Sequence, residues 1–142
     1  MVQFFTKEEG DRIVEAIRKA ETQTSGEIRV HLEMNCRNRT MADAVVIFDR
    51  LGMRDTKERN GVLFLIVPEK RELAIYGDIG IHNATHDGYW AEVMDHVQAR
   101  FRQGLHADGI CEGIAMVGDK LKQKFPYQKG DINELPDEIS YG

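Results

Sequence analysis

Residues 60–80, Asn-Gly-Val-Leu-Phe-Leu-Ile-Val-Pro-Glu-Lys-Arg-Glu-Leu-Ala-Ile-Tyr-Gly-Asp-Ile-Gly, constrain the fold more than any other stretch of the chain. The run from Val62 to Val67 is apolar at every position, and a charged turn separates it from a second β-like run, Leu73 to Tyr76. Read as a hairpin, the segment folds Asn60 and Asp78 back to one end of a sheet. It supplies a fold anchor and a place to look for chemistry.

The flanking segments supply the rest of the sheet and its helices. Thr6-Lys-Glu-Glu9 has the form of a capping box, and Ile13, Val14, Ile17 and Ala20 recur at helical spacing, which predicts a helix over about 7–22. Glu27 to Glu33 alternates with period two, placing Ile28, Val30 and Leu32 on one face of a strand and His31 on the other, exposed face. Thr40 is in position to cap a second helix with the stripe Met41, Ala44, Val45, Phe48 and Leu51, which Gly52 ends. Trp90, Val93, Met94, Val97 and Phe101 mark a third helix stopped by Gly104. Asp108 is placed to cap a fourth, with Ile110, Ile114, Val117 and Leu121 inward. His96 and His106 read as surface residues. The order α-β-α-β-β-α-α fits an α/β fold, a three-layer αβα sandwich around a small mixed parallel and antiparallel sheet.

Residues 1–125 read as a single domain and 126–142 as an extended C-terminal arm that packs weakly, meets a partner or is disordered. At 142 residues one domain of this size buries roughly 70% of the surface its unfolded chain exposes. The formal charge of −5 argues against nonspecific nucleic-acid binding, which needs a surplus of Lys and Arg. The first residues lack the basic and apolar segments of a secretory signal, and no apolar run reaches the length of a membrane span. The expectation is a cytoplasmic protein without a membrane anchor, with Cys36 and Cys111 as reduced thiols. No protein partner is legible.

A helix between the first two strands makes them parallel, and the third returns antiparallel. The starts of the first and second strands and the end of the third then share one end of the sheet. Asp55, Asn60, Asp78 and Asp87 are oxygen donors on the loops there, with Glu27 on the rim. Such mixtures of carboxylate and amide oxygen suit hard cations, so the expected cofactor is Ca²⁺ or Mg²⁺. The competing reading is turn chemistry, because Asn-Gly and Asp beside Gly are common in loops. His82 and His86 lack the further ligands of a zinc site. No GxSxG elbow, phosphate-binding loop or dinucleotide fingerprint is present.

Ser25-Gly-Glu-Ile28, Leu51-Gly-Met53, Asn60-Gly-Val-Leu-Phe-Leu-Ile-Val67, Tyr76-Gly-Asp-Ile-Gly80 and Phe101-Arg-Gln-Gly104 followed by Gly109-Ile110 resemble, in order and spacing, the TPM domain family. The family takes its name from thylakoid lumen, photosystem II-associated and receptor-modulator proteins. The resemblance runs from the first helix to about Lys124. It implies an αβα sandwich, a divalent-cation site and, for plant members, an acid phosphatase activity, with Asn60 and Asp78 as the residues that match the family's segments. Three functions follow as expectations. The first is a cation-binding domain. The second is a metal-assisted phosphomonoester hydrolase with Asp55 or Asp87 as base and Arg54 or Arg59 on the substrate. The third is an interaction adaptor using the C-terminal arm.

Overall fold

The structure, a computed structural model, describes residues 4–34, 39–86, 88–128 and 136–142. Helix α1 (Lys7–Glu21) starts on the capping box: the Thr6 hydroxyl accepts from the Glu9 N–H (3.1 Å) and the Thr6 N–H donates to Glu9 Oε1 (2.9 Å). Strand β1 (Glu27–Leu32) leads to α2 (Thr40–Arg50), and β2 (Gly61–Val67) to β3 (Glu72–Gly77). A 3₁₀ turn over Pro68–Lys70 and a left-handed Arg71 (φ 53°) join the last two strands. A short α3 (Ile79–Asn83), then α4 (Tyr89–Arg102), α5 (His106–Lys124) and β4 (Ser140–Tyr141) complete the order.

The sheet runs β3-β2-β1-β4, with β1 parallel to β2 and to β4, and β3 antiparallel to β2. Ile28, Val30, Leu32, Phe64 and Ile66 face α1, α4 and α5, where Ile13, Ile17, Val97, Ile110 and Ile114 are fully buried. Leu63, Leu65 and Val67 face the other way, onto Ala44, Ile47, Phe48 and Met53. Strand β2 is therefore covered on both faces, which is why its sequence is apolar without alternation. The layers are those of an αβα sandwich.

Several local expectations are corrected. Thr40 does not cap α2; it is the first helical residue, buried, and its hydroxyl donates to Glu72 Oε1 on β3 (2.6 Å). Helix α5 begins at His106, two residues before Asp108, whose carboxylate instead accepts from Arg12 (2.5 Å). His106 is half-buried between the rings of Phe4 (4.7 Å) and Phe101 (4.9 Å). His96 is exposed, against Glu112. His31 is 2% exposed, because β4 extends the sheet beyond β1 and closes over it. Cys36 and, from the arm, Ile132 and Leu135 lie outside the described residues. No helix among the described residues is long and apolar enough to cross a membrane.

Candidate functional site

Strand pairing sets the geometry at the sheet end. Glu27 pairs with Gly61, and Val62 with Gly77, so the residues before β2 and after β3 meet there. The Asp78 N–H donates to Gly61 O (2.9 Å), and the Glu27 N–H to Asn60 O (3.4 Å). Asn60 and Asp78 are both almost fully buried. Asp55 is exposed on the loop after α2, its N–H donating to Gly52 O (3.1 Å). Asp87 lies outside the described residues. The structure thus brings Asn60 and Asp78 together and leaves the Asp55 side chain at the surface.

Asp78 is heavily engaged. Its Oδ1 accepts from the Ile79 N–H (2.7 Å), capping α3, and from Arg59 Nη2 (2.8 Å), while Oδ2 accepts from Arg59 Nε (2.6 Å). This forked, charge-assisted pair holds the guanidinium's pKa above its ordinary value through the hydrogen bond to Asp78. Arg59 itself is left-handed at φ 53°. Gly80 completes the clamp: its N–H donates to Arg59 O (2.8 Å), and a Cβ there would lie 2.1 Å from Glu58 O. A side chain at Gly77 would meet the Trp90 ring at 2.5 Å. The Tyr76-Gly-Asp-Ile-Gly80 segment therefore works first as a lock that seats loop 54–60 on α3.

Asn60 is differently placed. Its Nδ2 donates to Ser25 Oγ (3.2 Å), with Glu58 Oε2 a longer contact at 3.5 Å, and Ser25 Oγ donates to Glu58 Oε2 (2.8 Å). That chain of donors fixes the amide orientation and leaves Asn60 Oδ1 buried with no hydrogen-bond partner. Thr56 Oγ1 on the same loop is buried in the same condition. Leaving a buried acceptor unmet costs about 1–3 kcal/mol, so Asn60 Oδ1 and Thr56 Oγ1 are the atoms at this end with capacity for a further partner.

Beside this end lies a carboxyl cluster that the sequence reading missed. Glu21, at the end of α1, accepts the Ile28 N–H on Oε2 (2.9 Å) and is hydrogen-bonded to Glu27 and Asp137. Burial first, then Asp137 and Glu27, push its pKa up to about 11, so it is a neutral acid at pH 7. Ser25, Glu58 and Glu21 carried no separate sequence signal, since isolated acids and serines near turns are common. Burial raises the Cys111 thiol pKa, which makes it a poor nucleophile. Among the described residues no group of three or more His, Cys, Asp or Glu could hold a metal ion.

A mixed sheet between helical layers, with a clamped loop at the joint of its strand ends, defines the class of domain. The sequence profile of the TPM domain matches residues 1–120, and the chain belongs to that family. It is similar to the BA42 protein of the psychrophilic bacterium Bizionia argentinensis, solved by NMR. That likeness has 42% identity and a TM-score of 0.93, over 100% of this chain and 98% of that one. The N-terminal domain of a P. gingivalis protein shares the fold at a TM-score of 0.68 and 20% identity, over 86% of this chain and 79% of that one. No curated protein matches the chain.

Proposed function

We propose that this TPM domain binds a divalent cation, Mg²⁺ or Ca²⁺, at the end of the sheet where β1 and β2 begin. The observation that carries the reading is Asn60 Oδ1, a buried amide oxygen without a donor. Glu58 and Ser25 stand on the other side of the same amide. Hard cations accept amide oxygens alongside a few carboxylates and retained waters. Asp55, exposed on the loop after α2, is the described loop carboxylate that would complete the ion's shell, with Asp87 a second candidate by sequence alone. A carboxylate offers about four lone-pair sites; on Asp78, Arg59 and the Ile79 N–H use three. Asp78 then contributes chiefly by bracing the loop, with one lone pair left for the ion.

So few charges imply weak binding, with Kd on the order of 10⁻³ M. Titration with Mg²⁺ and Ca²⁺, followed through the amides of residues 55–61 and the Asn60 side-chain NH₂, tests it. Binding that survives Asn60→Ala unchanged places the ion elsewhere and defeats the reading.

The hydrolase reading uses the same ion to polarise a phosphomonoester, with Asp55 or Asp87 as base. It is the weaker one, because its two candidate phosphate binders are occupied: Arg54 Nε by Asp49 (2.6 Å) and Arg59 by Asp78. Aryl phosphate hydrolysis that Asn60→Ala abolishes in a folded protein would favour it. The adaptor reading would have to use residues of the arm other than Ser140 and Tyr141, which are paired with β1.

A further inference from the structure

The C-terminal segment returns to the open edge of β1 on a very short ladder. His31 pairs with Ser140 and Leu32 with Tyr141. The Gly142 N–H donates to Leu32 O (2.9 Å), and the Met34 N–H to Gly142 O (3.1 Å). Two residues of strand give little pairing energy of their own, so the side chains beneath decide whether the segment stays.

Those side chains centre on His31, which is 2% exposed. Its Nε2 lies 3.1 Å from Glu33 Oε2 and its Nδ1 2.6 Å from Ser140 Oγ. A carboxylate only accepts, so Nε2 carries the proton and neutral Nδ1 accepts from the Ser140 hydroxyl. Arg50 Nη2 donates to the same Glu33 oxygen (3.1 Å), and Arg29 lies near enough to act on the ring. A Cβ at Gly142 would stand 2.6 Å from Glu33 Oε2 and 2.9 Å from His31 Nε2. The strand therefore closes directly over the imidazole–carboxylate pair. On the opposite face, Ile139 and Tyr141 form one wall of a groove of about 890 Å³, with Phe4, Val14, Leu32 and Met34 among its other lining residues.

We propose that residues 139–142 form an acid-released strap: they lie on the β1 edge while His31 is neutral and leave it when His31 takes up a proton, baring the β1 edge and opening the groove. An imidazolium there would be sealed from water between two guanidinium groups and one carboxylate. Its Nδ1 would become a donor, turning the Ser140 hydroxyl toward Val30 O, a longer contact at 3.4 Å. Burial, with Arg50 and Arg29, lowers the His31 pKa below its ordinary value, and Glu33 opposes the shift.

For a histidine lowered in the docked state, the undocked form binds more protons. Docking is then complete above the ordinary histidine pKa of about 6.5 and weakens as pH falls below it, toward the docked pKa. Asp137, hydrogen-bonded to the Glu21 carboxyl just before the strap, is the point from which it would swing.

The test uses the full chain in ¹⁵N and ¹³C NMR from pH 8 to pH 5, with exchange rates corrected for their intrinsic pH dependence. The Met34 and Gly142 amides should shift and lose protection with the midpoint of the His31 ring, below about 6.5. The docking constant should fall by up to about tenfold per pH unit between about 6.5 and the docked pKa, and level off beneath it. His31→Gln keeps a neutral donor and acceptor and should stay docked at pH 5. If that variant does not dock at pH 8, Glu33→Gln decides, because removing the anion should move the transition to lower pH. Met34 and Gly142 amides that stay protected through the His31 titration overturn the proposal. So does a transition that both substitutions leave in place.

Discussion

Replacing Glu21 by Gln should stabilise the fold at neutral pH, and by an amount that grows with pH. Glu21 is half-buried at the end of α1, bonded to the Ile28 N–H and to two other acids, and its pKa is pushed up to about 11. The folded chain keeps a proton that the unfolded chain releases above about pH 4.5. For a raised carboxyl pKa the folded state binds the extra proton, so stability falls as pH rises from about 4.5 towards 11. The slope is about 1.4 kcal/mol per pH unit, which amounts to about 3 kcal/mol by neutral pH. Glutamine retains an oxygen for Ile28 and an N–H for the neighbouring carboxylates, yet cannot ionise. Urea denaturation at pH 5, 6 and 7.5 should show Glu21→Gln gaining about 1 kcal/mol or less at the first and about 4 kcal/mol at the last. A gain that is the same at all three pH values, or a loss at pH 7.5, refutes the reasoning.

Gly80→Ala should destabilise by about 3 kcal/mol or more in urea melts, since its Cβ would lie 2.1 Å from Glu58 O with backbone on both sides. Gly52→Ala should cost only about 1 kcal/mol, from its φ of 73° alone, because nothing lies within 4 Å of the added carbon. Asp78→Ala removes the α3 cap, worth about 1 kcal/mol, and also frees Arg59, so its midpoint should drop further than the cap alone explains. Its HSQC spectrum should change first around residues 56–60.

The long helices were legible from apolar stripes that run over several turns and β1 from its alternation, while the hairpin was read from an unbroken apolar run, a charged turn and a second β-like run. Helix α3 was not, since five residues are too few to show a stripe. Nor was β4, whose Ser140-Tyr141 pair has no alternation to read. That the residues before β2 and after β3 meet at one end of the sheet followed from connectivity, whereas their wiring did not. That Asp78 holds Arg59 nineteen residues away, or that His31 meets Ser140 across 109, depends on where strands close in space. His31 read as exposed because alternation tells which face a side chain takes, and says nothing of what later covers it.

The most direct test of the proposed cation site is a Mg²⁺ and Ca²⁺ titration of ¹⁵N-labelled protein, compared with Asn60→Asp and Asn60→Ala. Selective, saturable shifts of the Asn60 side-chain amide and of residues 25–27 and 55–61 are expected, stronger for Asn60→Asp and lost in Asn60→Ala. Unmoved resonances there, or shifts spread evenly over the acidic surface, would contradict the account.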